Sequence, residues 1–250
     1  MSALVEMRAF TVRYGSTLAL DSIDLDLHAH RVTAVIGPAG AGKSTLLRAL
    51  NRMNELVAVS SREGTIRLGG VDIHGGDIDP LALRRRVGMT FERPNPFPRS
   101  IFDNLAWGLS IHGVDDHVEA RIEQALTRVG LWSLLADRLD RPARELSLGD
   151  QQRLCIARAL VLEPEILLMD EPCSRLDPTS TARIEDLLFD LKTATTIVLV
   201  PHSLRQTSRV ADDTVLLDAG TLIEAGSTEE MFTRPRRART EAFVTGRFDV

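Results

Sequence analysis

Aromatic rings, cysteines and long apolar runs are all scarce in this sequence, and each shortage excludes something. Aromatic residues make up 4 % of the 250 positions, with Tyr14 the single tyrosine. The two cysteines, Cys155 and Cys173, stand in separate stretches without metal-ligand spacing. They encode neither a disulfide framework nor a zinc site, which suits a reducing cytoplasm. No stretch approaches about 18 uncharged apolar residues, so no membrane-spanning helix is expected. The opening MSALVEMRAF lacks the basic start and apolar run of a signal peptide. The formal net charge of −5 is not the basic footprint of a nucleic-acid binder. What remains, 44 % hydrophobic and 26 % charged residues, supports a sizeable core in one large domain or two smaller ones.

The most informative stretch begins at VTAVI (Val32 to Ile36), a β-branched apolar run that reads as a buried strand. It leads into Gly37, Pro38, Ala39, Gly40, Ala41, Gly42, Lys43, Ser44 and Thr45, and then into TLLRALNRM, which reads as a helix. Strand, glycine-rich turn and helix opening on Lys-Ser are the context that makes a phosphate-binding loop. Glycines let backbone N–H groups curl around a polyphosphate where side chains would crowd it. The helix N-terminus adds unpaired N–H groups and a favourable dipole. In such a loop Lys43 reaches the terminal phosphates and the Ser44 hydroxyl holds Mg2+. The alternative, an incidental lysine in a glycine-rich turn, does not account for the flanking strand and helix. The pattern predicts binding of a nucleoside triphosphate.

The rest of the chain alternates strand and helix signals. Residues 4–12 and 18–27 carry alternating apolar positions, clearest in SIDLDL, where Ile23, Leu25 and Leu27 oppose Asp24 and Asp26. Strands with one wet face suggest an antiparallel sheet, and Tyr14–Gly15 marks the turn between them. GTIRLGGVDI (64–73) reads as a hairpin turning at Gly69 and Gly70 and joining that sheet. LALRRR (81–86) suggests a short helix and VGMTF (87–91) a buried strand; the three prolines of ERPNPFP (92–98) then force the chain out of regular structure. Helical spacing follows in 101–109 and 118–131, with Asp115 or Asp116 placed to open the second helix. WSLLADRL continues the helical pattern until Pro142. Trp107 and Trp132 read as packing anchors. A further helix is expected from about Asp150 to Leu162, with Leu154, Ala157 and Val161 on one face and Gln151, Arg153 and Arg158 turned elsewhere. ILLMDEP (166–172) and TTIVLV (195–200) read as central strands, 179–191 as an amphipathic helix, and 214–226 as a closing hairpin. RPRRAR (234–239) reads as a solvated basic turn. Buried strands alternating with helices imply an α/β core.

Asp170 and Glu171 end a strand so apolar that it must be internal, and adjacent carboxylates there are costly without a cationic or catalytic role. Asp170 is placed to orient Mg2+ and Glu171 to polarise an attacking water, because successive strand residues face opposite ways. His202 ends the next strand, TTIVLVPH. Strand ends of a parallel sheet converge on its ligand crevice, where an imidazole can contact the terminal phosphate or position Glu171.

Taken together, these motifs resemble the ATPase subunit of ATP-binding cassette transporters over nearly the whole chain, from RAFTVRYG to GRF. The resemblance implies a P-loop NTPase with a RecA-like core, an N-terminal antiparallel β subdomain and an inserted helical signature subdomain. It implies one ATPase domain over 1–250: the β region and first part of the core in 1–91, the glutamine-loop equivalent and helical subdomain in 92–163, the remaining core in 164–226, and a C-terminal tail in 227–250. By resemblance Tyr14 is the adenine platform, residues 37–45 the phosphate loop and Glu92 the position of the usual glutamine, with a possible metal role. Residues 146–150 match the signature loop, with Ser147 and Gly149 meeting the terminal phosphate across a dimer. Asp170 and Glu171 match the metal and catalytic carboxylates, Asp177 the dimer-communicating acid and His202 the switch histidine. LNRMN (50–54), RRVGM (85–89), PNPFPRSIFDNLAWG (94–108), QQRLCIARAL (151–160), MDEPCSRLDP (169–178) and FVTGRF (243–248) are similar to the ATPases of phosphate importers. That similarity implies ATP and Mg2+ as cofactors and two ATPase copies. It also implies two permease subunits, an external phosphate-binding protein and a peripheral place on the cytoplasmic face of the membrane. An importer of another solute, and a weakly hydrolysing regulatory subunit, are the competing readings; a P-loop kinase fits the downstream pattern less well.

This chain departs from the family pattern at three places: Glu92 for glutamine, LSLGD (146–150) for LSGGQ, and Pro201 before His202. Glu92 cannot donate like an amide, and its charge repels ATP unless Mg2+ compensates. Leu148 lacks the range of glycine and can crowd the opposing ATP. Asp150 can cap the following helix while opposing phosphate, and Pro201 removes an N–H and stiffens the approach to His202.

Overall fold

The computed structural model describes residues 3–57, 60–76 and 78–247; Met1, Ser2 and the end of the FVTGRF run at Phe248 lie outside the described residues. Alternation writes the first two strands, β1 (Val5–Tyr14) and β2 (Thr17–Leu27), which pair antiparallel with Tyr14 opposite Thr17. Ile23, Leu25 and Leu27 are buried while Asp24 and Asp26 face water. β3 (Val32–Ile36) is buried throughout. α1 (Lys43–Leu50) opens on Lys-Ser as expected but stops at Leu50, short of Met53, where Arg52 takes a left-handed conformation that opens a short 3-10 turn over Met53–Leu56. β4 (Ser60–Leu68) and β5 (Val71–Asp72) form the expected hairpin, and the first sheet runs β2-β1-β4-β5.

α2 (Pro80–Arg86), capped by Asp79, leads into β6 (Val87–Thr90). The helical region holds α3 (Ile101–Ile111), α4 (Val118–Arg128), α5 (Trp132–Leu135) and α6 (Leu148–Leu160). The core then resumes with β7 (Ile166–Asp170), α7 (Pro178–Leu191), β8 (Thr196–Val200), α8 (Leu204–Val210), β9 (Asp213–Asp218) and β10 (Thr221–Ser227). α9 (Thr228–Thr233) and α10 (Ala238–Val244) follow, packing Met231 and Phe243 toward Ile36 and Leu216. The second sheet runs β10-β9-β3-β8-β7-β6, parallel except for β10. This is the architecture the resemblance implies: a RecA-like α/β core carrying an N-terminal β subdomain and helical insertions.

The central strands β3, β7 and β8 are buried at every position and mostly apolar because both faces are covered. Leu167, Met169, Ile197 and Leu199 face the helical region, with Leu105, Leu126 and Leu154 in the same cluster. Ile166, Leu168, Val198 and Val200 face the other way, onto α1 and the first sheet. Burying both faces leaves only the strand ends for chemistry. Cys155 and Cys173 are free and buried, and burial pushes both thiols up, Cys173 to about 11. No helix among the described residues is long and apolar enough to cross a membrane.

Several local expectations are corrected. Neither Asp115 nor Asp116 caps α4; His117 in a left-handed conformation precedes it, and Asp116 instead pairs with Arg121 at 3.6 Å. α6 starts at Leu148 rather than near Asp150, because the Ser147 hydroxyl is the cap. Arg153 does not turn away from the core: it is buried and donates to the carbonyls of Val129 and Gly130. Trp132 packs against the helical core, but Trp107 is 44 % exposed and rests edge-on against Phe97. The basic turn is tied down as well. Glu224 accepts from the backbone N–H groups of Arg236 and Arg237 at 2.9 and 3.1 Å and from the Thr240 hydroxyl at 2.6 Å, while Arg239 pairs with Asp218 at 2.7 Å.

Burial acts to raise the Glu224 carboxyl, but the Thr240 and backbone bonds outweigh it and hold the group below its ordinary value. A depressed carboxylate stabilises the fold above its unfolded pKa and loses that contribution as pH falls through the folded one. Glu224→Ala is therefore expected to cost about 2 kcal/mol near neutral pH, with the gap to the parent narrowing in acid below the usual carboxylate range. Urea unfolding of both proteins across that range checks it; a gap that is constant or widens in acid would refute the assignment.

Candidate active site

The loop after β3 owes its shape to close packing. Gly37 has φ 148°, and a Cβ there would lie 2.1 Å from the Leu217 carbonyl oxygen, so no side chain fits. The Pro38 carbonyl accepts from the Ala41 N–H at 3.2 Å, closing the loop's first turn. Lys43 Nζ donates to the carbonyls of Gly37 and Pro38, both at 2.8 Å, which draws the ammonium back across the loop mouth. Burial lowers the Lys43 pKa, opposed by Glu171 and Asp170.

The Ser44 hydroxyl donates to Asp170 Oδ1 at 3.1 Å, joining the start of α1 to the end of β7. Burial pushes the Asp170 carboxyl up; the Ser44 bond and the charges of Arg48 and Lys43 pull it back, and Glu92 adds to the rise. Glu171 does not continue the strand. It sits at φ 48°, left-handed and uncommon for a side chain with a Cβ, with its N–H donating to the Val200 carbonyl at 2.9 Å. A left-handed turn at Glu171, not the strand pleating that the sequence suggested, therefore sets the backbone of the second acid.

His202 follows β8 and donates through Nδ1 to Gln206 Oε1 at 3.0 Å, an acceptor that fixes the tautomer and leaves Nε2 as the nitrogen able to meet a ligand. Gln206 in turn donates to Glu185, which pairs with Arg209 at 2.8 Å. The Tyr14 phenol donates to Asn54 at 2.6 Å, and Asn54 donates to the Thr45 carbonyl at 3.0 Å, so one side chain links the half-buried ring to the P-loop helix. Glu92, beyond β6, accepts from Arg175 Nε at 2.9 Å.

The signature residues gather elsewhere. The Ser147 hydroxyl accepts from the Asp150 N–H and donates to the Asp150 carboxylate, whose other oxygen pairs with Arg153. The charge of Asp150 is thus spent inside the chain, and Ser147 is the cap in its place. Gly149 is buried against α7: a Cβ would come within 2.3 Å of Ser180 Oγ and 2.7 Å of Ser180 Cβ. Asp177 caps the same helix, and the Ser180 hydroxyl and N–H hold its carboxyl below the ordinary range. Leu148 stands 45 % exposed at the opening of α6. No hydrogen bond or ion pair among the described residues joins Ser147, Gly149 or Asp177 to the P-loop. The two groups of residues stand apart in one chain.

A phosphate loop on β3, a buried carboxylate bonded to its serine and a second acid one residue on define a P-loop nucleoside triphosphatase. A family model for the ABC transporter matches residues 20–174, and the chain belongs to the ABC transporter family as an ATP-binding ATPase subunit. It is 52 % identical over 235 residues to the phosphate import ATP-binding protein PstB of Salinibacter ruber (strain DSM 13855 / M31), covering 94 % of each chain. Among solved structures it is similar to cbiO1 from Clostridium perfringens, part of the ABC transporter complex cbiONQ. That match has a TM-score of 0.82 and 27 % identity over 99 % of this chain and 97 % of that one. It is also similar to a bacterial Atm1-family ABC exporter with ATP bound, with a TM-score of 0.80 and 26 % identity over 99 % of this chain and 43 % of that one. The architecture of such transporters joins ATPase to permease subunits.

Sequence reasoning missed the partners that hold these groups: Asn54 for Tyr14, Gln206 for His202, Ser180 for Gly149 and Arg175 for Glu92. Only Arg175 carried a usable signal, as a cation in the loop just after the two acids. The Gly149–Ser180 approach yields a direct test. Gly149→Ala is expected to destabilise the protein by about 1–3 kcal/mol through overpacking, with Ser180→Gly restoring part of the loss in the double variant. Thermal unfolding of the three variants decides it; additive losses would rule out this contact as the cause.

Proposed function

We propose that this chain hydrolyses Mg-ATP between two of its own copies to drive import of inorganic phosphate through two permease subunits. An extracytoplasmic phosphate-binding protein would deliver the solute. The observation that carries the shared site is the division of its chemistry: Lys43, Ser44, Asp170 and Glu171 cluster at one place, while Ser147, Gly149 and Asp177 converge on Ser180. A second copy supplies the signature half to the first copy's P-loop. The phosphate assignment rests on the importer-like runs of the sequence and on the Salinibacter ruber relative.

The residues fit Mg2+. The Ser44 hydroxyl and Asp170 carboxylate are adjacent hard oxygen donors, and among the described residues no group of three or more His, Cys, Asp and Glu could form an all-protein cage. That suits a cation held by one or two protein oxygens and the substrate's phosphates. When bound, the ion neutralises charge on the transferred phosphoryl group. In this reading Gly37, Pro38, Ala39, Gly40, Ala41 and Gly42 present backbone N–H groups to the phosphates, with Thr45 behind them. Lys43 contacts the terminal phosphate, Tyr14 carries the adenine, Glu171 polarises the attacking water and His202 Nε2 reaches the phosphate or that water. Glu92 stands at the rim as a further oxygen donor.

A half-apolar surface favours a permease partner at the cytoplasmic face of the membrane. Trp107 and Ile111 on α3 and Leu81 on α2 are exposed, and Phe97 joins them under the Arg158 guanidinium at 4.4 Å. The exposed Leu148 at the shared interface favours the second reading, a regulatory subunit with little turnover. The complex reconstituted with its genomic-neighbour permease separates them. Phosphate with binding protein is expected to stimulate hydrolysis, and Glu171→Gln to reduce it about 10²–10⁴-fold. Binding of ATP without turnover in any condition would establish the regulatory reading; turnover indifferent to phosphate would reassign the solute.

A further inference from the structure

Two of this chain's acidic and basic rim residues meet across neighbouring loops. Glu92 lies two residues beyond β6, and Arg175 lies in the loop between β7 and α7. β6 and β7 pair in parallel, with Thr90 opposite Met169, so both loops leave the same edge of the sheet as Asp170 and Glu171. There Arg175 Nε donates to Glu92 Oε1 at 2.9 Å, with the two side chains 44 % and 47 % exposed. An ion pair this exposed contributes little to fold stability. Its effect is on local charge. Glu92 is a third carboxylate beside Asp170 and Glu171, near enough for its charge to act on Asp170, at an edge where a triphosphate must sit.

We propose that Arg175 is a positioning residue for the nucleotide: it neutralises Glu92 and holds it at the rim, so that an acid in place of the family's usual glutamine does not repel ATP. The inference rests on the reading of Glu92 as facing the nucleotide. It makes the departure at residue 92 and the arginine at residue 175 a single device, in which each is tolerable because of the other.

A four-member cycle tests it: the parent, Arg175→Ala, Glu92→Gln and the double variant, each checked for an unchanged melting temperature. Affinity for a fluorescent ATP analogue and its ADP counterpart is measured with Mg2+ and with EDTA, beside steady-state hydrolysis. Arg175→Ala is expected to weaken ATP binding about fivefold to tenfold in EDTA, more for ATP than for ADP, because the exposed carboxylate then faces more phosphate charge. In the Glu92→Gln background the same change is expected to cost less than about twofold, and Arg175→Lys to retain most of the affinity. Equal losses in both backgrounds would overturn the proposal, showing that Arg175 does not act through Glu92. If Arg175→Ala is silent while Glu92→Gln changes binding or turnover, the pairing fails and the placement of Glu92 at the nucleotide stands. If both are silent, both fail.

Discussion

The hydroxyl of Ser44 reaches Asp170 across the width of an intervening strand, and the rest of the site depends on that reach. β3 and β7 are not neighbours; β8 lies between them. The loop after β3 must therefore turn into α1 over the sheet edge for its serine to meet the acid ending β7 at 3.1 Å. Complete burial of the strands makes this possible, because a sheet covered on both faces positions its ends rigidly. It also makes the contact necessary. Asp170 is pulled into a poorly solvated place where its charge is disfavoured, and Ser44, Lys43 and Arg48 are what oppose that cost. Lys43 is displaced in the opposite sense, its charge disfavoured by burial and supported by the two acids. The pair forms an electrostatic unit suited to a ligand carrying phosphate charge, and to the Mg2+ proposed with it.

Legibility in the sequence followed the physics of each feature. Period-2 alternation in SIDLDL and the predominantly apolar runs VTAVI, ILLMD and TIVLV report burial on one face or two, so strands and sheet type could be read from them. The P-loop could be read because backbone approach to phosphate restricts residue type over many consecutive positions. What escaped depends on tertiary proximity. Nothing in LSLGD announces that Gly149 must be small because Ser180 presses on it. Nothing in RVGLWS announces that its carbonyls will receive Arg153 and draw that cation inside. Strand pleating was the wrong basis for reading Asp170 and Glu171, since a left-handed turn at Glu171 leaves no mark in a pattern of residue types. Trp107 was misassigned because helical spacing alone does not distinguish a face that packs within the chain from one left half exposed.

The departures from the family pattern look different once their surroundings are known. Read singly, Glu92 and Asp150 each bring an unwelcome negative charge toward ATP. In the fold each meets an arginine: Arg175 from the loop after β7, and Arg153 one turn further along α6. The two cases are not equivalent. Asp150 is closed into a small network with Ser147 and the largely buried Arg153, so its charge belongs to the helix start, where an acid also suits the macrodipole. Glu92 and Arg175 are half exposed and form no other hydrogen bond or ion pair among the described residues, so the balance of their charges is felt by whatever sits at the rim.

Leu148 is a departure that the fold leaves 45 % exposed. Its side chain points into solvent at the first position of α6, immediately beside the buried Gly149. Because Gly149 is wedged against Ser180, the backbone there cannot retreat to make room for a partner, and any approaching surface must accommodate the leucine itself. A helix start offers unpaired N–H groups whatever its first side chain is. The leucine therefore leaves the polar donors in place and alters the shape and solvation around them. On the proposed reading of a site shared by two copies, its effect would fall on how closely the second copy approaches, and only through that on the nucleotide.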